Sequence, residues 1–250
     1  MKQTRILMGM PIAVEVVRAN ADDPVFDAVF DYFKYVDEKF STYKETSEIT
    51  AINKGKLDKK DWSRDMQLVF ALSEETRALS DGYFDITTPA GAFDPSGLVK
   101  GWSIWNAAKI ILEKGFEDFY VDAGGDIQPH GKNGEGKPWS VGIKNPWNDA
   151  ENVKIVYVED QGVATSGTYI RGLHIYNPRA DRKPVDEIVS LTVIGPNIYE
   201  ADRFATAAFA MGKEAIGFIE KLPGFEGYMI GKDKWATMTT GFERYTSQNA

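Results

Sequence analysis

Cysteine is absent from the 250-residue chain. Its absence excludes disulfides, thiol catalysis, Cys-type zinc sites, iron–sulfur clusters and lipidation through cysteine. Histidine is nearly absent too: His130 and His174 are the only two, too few for a His-rich metal centre. There is no long run of Lys or Arg, and the formal charge is 29 − 37 = −8, which argues against nucleic acid as the main partner. No apolar stretch is long enough to span a bilayer. The N-terminus, Met1 to Met10, is basic at its start but lacks the apolar core that export requires, so a cytoplasmic protein is expected, or an exported one whose leader has been trimmed.

What is present is an ordinary ordered composition, 43% hydrophobic and 26% charged. The length suffices for one large domain or two small ones with a real core. Without a linker-like or low-complexity gap or a visible internal repeat, a single α+β domain over residues 1–250 is expected. Ile6, Met8, Met10, Ile12, Val14 and Val16 alternate at period two and predict a strand over 5–18. Asp23-Pro24 opens a helix whose stripe is Phe26, Val29, Phe30, Phe33, Val36 and Phe40, read as core rather than as a cofactor surface. A second helix is predicted over 63–79, with Met66, Val69, Phe70 and Leu79 inward. A third is predicted over 98–114, stopped by Gly115. Strands are predicted near 117–122, 138–143, 153–158, 162–166, 173–176, 188–195, 226–231 and 234–241.

The heptad Glu200-Ala-Asp202-Arg-Phe-Ala-Thr206 carries the most chemistry. Asp202 and Thr206 stand four apart, on one face of a helix, among Phe204, Ala205, Ala207, Ala208, Phe209, Ala210 and Met211. A carboxylate in apolar surroundings needs a partner. Oxygen donors without His or Cys suit a hard cation such as Mg²⁺ better than zinc. An N-terminal helix cap with a solvated Asp fits the heptad equally well, and the seven residues alone leave both accounts open.

Glycines mark three further places. Asp94-Pro-Ser-Gly97-Leu-Val-Lys100-Gly101 leads into the third helix; a glycine turn opening a helix offers N–H groups and a dipole to phosphate, and Lys100 adds a point charge. Such turns also occur without any ligand. Asp122-Ala-Gly124-Gly125-Asp126 follows a strand and reads either as close backbone approach to a ligand or as a tight turn. Ala164-Thr165-Ser166-Gly167 places hydroxyls at a strand end, where an ordinary turn would serve. His174-Ile175-Tyr176-Asn177-Pro178 sets a histidine in a short apolar strand, a structural or a catalytic position.

The order of these elements resembles the ApbE family, the FAD:protein FMN transferases. Met8-Gly9-Met10-Pro11 is similar to the family's M-G-T-P. Ser41-Thr42-Tyr43, Ser47-Glu48-Ile49 and Asn53 follow its S-x-Y…S-E-I…N segment. Gly82-Tyr83-Phe84-Asp85-Ile86-Thr87 resembles G-x-F-D-I/P-T, and Asp94 to Gly101 resembles D-x-G-x-x-A-K-G. Gly124-Gly125-Asp126, Pro138-Trp139 through Ile143, Thr165-Ser166-Gly167, His174-Ile175 with Pro178, and Ala201-Asp202 with Ala205-Thr206 complete the series. Each motif is weak alone; nine in order are specific.

The resemblance implies a fold of α+β type, with tunnelling-fold sheets and packed helices and a nucleotide in a central cleft. It implies Mg²⁺-dependent cleavage of FAD with transfer of FMN to a threonine of an acceptor protein and release of AMP. Hydrolysis of FAD to FMN and AMP, or flavin-nucleotide binding without turnover, are the variants of that activity. The implied metal ligands are Asp202, Thr206 and the backbone carbonyl of Gly97. Met8, Tyr43, Tyr83, Phe84, Asp85, Asp94, Lys100 and Ile175 align with positions that cradle the flavin nucleotide, and His174, with Asp202, with the catalytic positions. Departures are visible as well. Only Thr88-Pro-Ala-Gly-Ala-Phe93 separates Thr87 from Asp94, where typical members carry a long insertion, Thr88-Pro89 replaces V-G-P, and Asn177 replaces the usual Asp of H-I-x-D-P.

Overall fold

Met8 and Gly9 decide how the chain begins. Both adopt left-handed backbone, at φ 52° and 72°. The period-two run is therefore not one strand but a hairpin of β1 (Lys2–Leu7) and β2 (Met10–Val16). Consecutive left-handed residues match the twist of a tight antiparallel turn. The structure, a computed structural model, describes residues 1–20, 22–168 and 175–247.

The helices start where their caps dictate. Asp23 accepts the Val25 N–H and Pro24 fills the first turn of α1 (Pro24–Phe40), whose expected aromatic stripe is buried throughout. Ser47 caps α2 (Glu48–Asn53), which at one and a half turns is too short to show helical periodicity. Ser63 caps α3 (Arg64–Leu79). Met66 and Val69 point inward there, whereas Leu79, expected inward, is 53% exposed at the helix's last residue. α4 (Ser96–Glu113) begins two residues earlier than the periodicity suggests, because the Asp94 carboxylate accepts the Ser96 N–H and Pro95 C=O accepts from Leu98 and Val99. Gly97 thus lies inside the first helical turn. Gly115, at φ 86°, ends the segment as expected.

β3 (Phe119–Ala123) turns into β4 (Asp126–His130) through Gly124-Gly125, both at positive φ. The tight-turn reading of this glycine pair is the one realised. β4 itself escaped prediction because Asp, Gln, Pro and His carry little strand signal. β5 (Trp139–Asn145) and β6 (Asn148–Val158) form a separate hairpin. β7 (Gly162–Gly167) follows, then the short pair β8 (Tyr176–Asn177) and β9 (Lys183–Pro184). β10 (Ile188–Gly195), α5 (Ile198–Phe209), α6 (Ala215–Ile219), β11 (Glu226–Gly231) and β12 (Ala236–Met238) complete the chain.

The architecture is α+β. Eight strands form one antiparallel sheet in the order β1-β2-β3-β4-β7-β10-β11-β12. One face carries α1, α4 and α5: Val14, Val121, Ala164, Val193 and Met229 pack against Phe30, Ile104 and Phe204 in the main core. Val163, Ile194, Tyr228 and Ile230 project from the other face onto Val141, Ile143, Val156 and Val158 of the β5–β6 hairpin. β10 is buried on both faces, which is why it reads as an apolar run rather than an alternation. A second helical core, away from the sheet, joins α1, α2, α3 and the first half of α4 through Val36, Ile49, Met66, Leu98 and Trp102. Among the described residues no helix is long and apolar enough to cross a membrane.

Candidate active site

Two glycines let α4 and α5 touch backbone to backbone. A Cβ placed on Gly101 would stand 2.5 Å from Asp202 Cβ and 2.7 Å from the Ile198 carbonyl oxygen. A Cβ on Gly97 would stand 2.9 Å from Thr206 Cγ2 and 3.5 Å from Thr206 Oγ1. Glycines four apart on α4 therefore meet Asp202 and Thr206, four apart on α5. The antiparallel crossing brings together the three residues named as metal ligands, from sequence positions about a hundred apart.

Asp202 is not a cap. Asn197 caps α5, its side chain accepting the Glu200 N–H at 3.0 Å, and Asp202 sits in the second turn at 2% exposure. The account of a solvated Asp at a helix start is thereby excluded. Gln128 on β4 reinforces the helix start by accepting the Ile198 N–H at 2.8 Å. Gly162 of β7 allows the close approach, since a Cβ there would lie 2.1 Å from Ile198 N.

The charges around Asp202 are uneven. Its Oδ2 accepts the Gly101 N–H at 2.7 Å, and its Oδ1 lies 3.6 Å from Lys100 Nζ. Lys100 sits nearer to Asp126, whose Oδ2 is 2.6 Å from Nζ, while Asp126 Oδ1 accepts the Thr165 N–H at 2.9 Å. That Asp126 bond replaces sheet pairing: β4 and β7 share only the Ile127–Val163 register. Both carboxylates are buried, and among the described residues one ammonium, that of Lys100, lies within ion-pair distance of both. Burial pushes the Asp202 carboxyl well above its ordinary range; Lys100 and the Gly101 N–H oppose the rise and Asp126 adds to it. The cluster is thus short of positive charge. Gly97, Lys100 and Thr206 are only half-buried, so its rim meets solvent.

No cluster of three His, Asp or Glu side chains suited to a metal occurs among the described residues. A cation here would rely on one carboxylate, a hydroxyl and a backbone carbonyl, a hard oxygen set that fits Mg²⁺. The buried surplus of negative charge fits it also.

A second group of expected residues gathers at the loop between α3 and α4. Thr87 and Phe93 pair in an isolated bridge, and Thr88 closes the turn by accepting from Gly91 and donating to Ala92 O through its own N–H. The Asn53 side chain takes both backbone groups of Phe93, at 2.8 and 2.9 Å. Asp85 Oδ2 accepts from Arg182 at 2.7 Å, and Arg182 also donates to the Thr87 carbonyl, to which Tyr176 donates at 2.7 Å. Arg179 lies over the Tyr83 ring, 5.2 Å from its centroid, and donates to Asp81. Asp94 links this loop to α4.

The remaining expectations are spread. Phe84 is 3% exposed in the second core, so a ligand could meet little beyond its backbone and ring edge. Met8 lies in the β1–β2 turn, partly buried between both helical cores, and Ile175 packs against the main core. Tyr43 is 97% exposed and packs on nothing. His174 and the beginning of the strand expected near 173–176 lie outside the described residues.

Comparison with known proteins gives the family. The model of the ApbE family matches residues 8–91 and 88–229. The chain belongs to the ApbE family. A FAD:protein FMN transferase of Vibrio cholerae is 34% identical over 165 residues, covering 62% of this chain and 48% of that protein. One from Klebsiella pneumoniae is 33% identical over 150 residues, covering 56% of this chain and 43% of that protein. The matched segment thus spans less than half the length of these curated relatives. Among solved structures, the flavin transferase ApbE of Vibrio cholerae superposes at TM-score 0.85 with 20% identity, covering 98% of both chains. An ApbE protein of Thermotoga maritima superposes at 0.83 with 21% identity, covering 99% of both.

In this ApbE chain the family match breaks into two segments that overlap at residues 88–91. The break falls on the closed turn. That turn is closed on itself and stitched from both sides. Three residues of this picture escaped the sequence. Asp126 is the last member of Gly-Gly-Asp, and that motif was its only signal. Arg182 and Tyr176 reach Thr87 across about ninety residues of chain, and nothing in local spacing announces them.

Proposed function

We propose that this chain is an Mg²⁺-dependent flavin transferase that moves FMN from FAD to a threonine of an acceptor protein and releases AMP. The observation that carries the reading is the buried Asp202–Lys100–Asp126 cluster at the α4–α5 crossing, two carboxylates to one ammonium among the described residues, with Thr206 and Gly97 beside it. Family membership gives that cluster a substrate. Asp202, Thr206 and the Gly97 carbonyl would hold Mg²⁺. Bound there, Mg²⁺ supplies electrostatic neutralisation of the pyrophosphate and of the departing AMP.

The chain's own residues supply the rest. Lys100 adds a fixed positive charge beside the first turn of α4, which Asp94 sets. Met8, Tyr43, Tyr83, Phe84, Asp85, Asp94, Lys100 and Ile175 line the nucleotide path in this reading. His174 takes the proton of the attacking threonine hydroxyl, a task suited to imidazole near neutral pH. Transfer then makes one phosphoester bond to the threonine and breaks one pyrophosphate bond.

Purified protein incubated with FAD and Mg²⁺ tests the reading, with AMP and FMN followed by chromatography. EDTA-sensitive AMP, lost in Asp202→Asn, is expected. AMP that persists in EDTA removes the metal from the reading, and intact bound FAD with no AMP, even with acceptor protein present, removes turnover. The closed 88–92 turn favours a second reading, hydrolysis of FAD to FMN and AMP, because water needs no acceptor surface there. Free FMN in place of a protein-bound flavin separates the two.

A further inference from the structure

Asp126 has a role that neither the metal ligands nor the nucleotide contacts account for. It is 1% exposed, opens β4, and spends its two oxygens on different elements: Oδ1 on the Thr165 N–H of β7, Oδ2 on Lys100 of α4. Lys100 Nζ could in principle approach either carboxylate. It stands 2.6 Å from Asp126 and 3.6 Å from Asp202, so the closer ion pair is with Asp126. A lysine ammonium fully paired with Asp202 would compete with any cation for the same oxygens. At these separations in a poorly solvated setting, an ångström matters, because Coulomb energy rises steeply as the effective dielectric falls.

We propose that Asp126 is a positioning residue that draws Lys100 away from Asp202 and so keeps the Asp202 carboxylate available to a divalent cation. The inference rests on the metal reading above. Asp126 does not touch the cation; it acts through the lysine. The charge count agrees. Among the described residues, Asp126, Asp202 and Lys100 sum to one net negative charge with both carboxylates ionised, and to none with Asp126 neutralised.

The test is Mg²⁺ affinity, read by calorimetric titration of the full chain with MgCl₂ in the absence of FAD. Asp126→Asn keeps an oxygen for the Thr165 N–H, so the β4–β7 join is retained. The expected result is at least a tenfold weaker Mg²⁺ affinity, about 1.4 kcal/mol. Lys100→Met combined with Asp126→Asn is expected to return affinity to within a few-fold of the parent. Unchanged affinity in Asp126→Asn overturns the proposal, and so does an equal loss with Lys100 removed, since Asp126 would then act on the cation directly. If Asp126→Asn fails to fold, Lys100→Met alone decides: affinity equal to or above the parent is expected, and a fall overturns the idea. Failure of the parent itself to bind Mg²⁺ would instead remove the metal reading.

Discussion

Two regions of this chain assemble expected site residues by opposite means. At the α4–α5 crossing the residues are fixed by backbone contact: glycines 97 and 101 leave no room between the helices, and Asp202 is nearly inaccessible. At the turn between α3 and α4 they are fixed by side chains thrown across from β8 and the segment after it, with Arg182 still 30% exposed. The first region tolerates almost no change of shape, and its chemistry is a buried charge imbalance. The second tolerates change of shape, and its order depends on a few polar staples.

The largest expected effect breaks the first region. Gly101→Ala places a methyl group 2.5 Å from Asp202 Cβ and 2.7 Å from a backbone carbonyl, and neither can step aside cheaply. Overpacking of this kind costs about 3 kcal/mol or more. Urea unfolding should show it, together with loss of any Mg²⁺-dependent thermal shift. Gly97→Ala meets a side-chain methyl of Thr206 instead and should cost less, about 1–2 kcal/mol. Equal tolerance at the two positions would mean that the helices are not in backbone contact.

Next comes a change that should stabilise. Asp202 has a raised folded-state pKa, caused first by burial. Below its unfolded pKa both states are protonated and Asp202 has no effect; as pH rises, the unfolded state ionises first and stability is lost up to the folded pKa. Asp202→Asn removes that loss while keeping an acceptor for the Gly101 N–H. The metal-free variant should gain on the order of 1–2 kcal/mol at about pH 8 and much less at about pH 5. Its melting temperature should no longer respond to Mg²⁺. A variant less stable than the parent at both pH values would contradict the burial argument.

This contrast also explains what could be read from the chain beforehand. The helix starts at Asp23-Pro24 and near Ser63, the α1 stripe and the Gly115 stop are local signals, and each is realised. Asp202 and Thr206 were visible as a pair because four-residue spacing is local as well. No spacing pointed to their partners: Gly97 was named only through the family resemblance, and Gly101 and Asp126 meet the pair only through the packing of α4 and β4 on α5. The β1–β2 hairpin was missed because period two continues through a left-handed Met8, a conformation no pattern of apolar residues reports. The Arg182 and Tyr176 staples were illegible for the same reason as Asp126: a hydrogen bond across ninety residues has no period.

In the second region Arg182→Met should have the larger effect. It removes the donors to Asp85 and to the Thr87 carbonyl, and the guanidinium over the Tyr176 ring, while keeping an unbranched side chain. Charge-assisted hydrogen bonds are worth about 1.5–3 kcal/mol when buried. At 30% exposure, screening by water reduces this to about 1–2 kcal/mol. Hydrogen exchange should show faster opening of residues 87–93, with the α4–α5 amides unchanged. Spread of the effect into α5 would mean that the two regions are one cooperative unit.

Gly91→Ala closes the comparison from the small end. Gly91 has no atom within 4 Å of a would-be Cβ, the reverse of Gly101, but its φ is +83°. The cost is then purely that of holding an L-residue in left-handed backbone, about 1 kcal/mol or less. Because the turn is exposed and closed by Thr88, the strain should stay within it. Denaturation should register a small, pH-independent loss, and Mg²⁺ affinity should match the parent. A loss as large as that of Gly101→Ala would show that the turn is held by packing rather than by staples, and a change in Mg²⁺ affinity would show that Asp94 transmits the turn's shape along α4 to the Asp202 carboxylate.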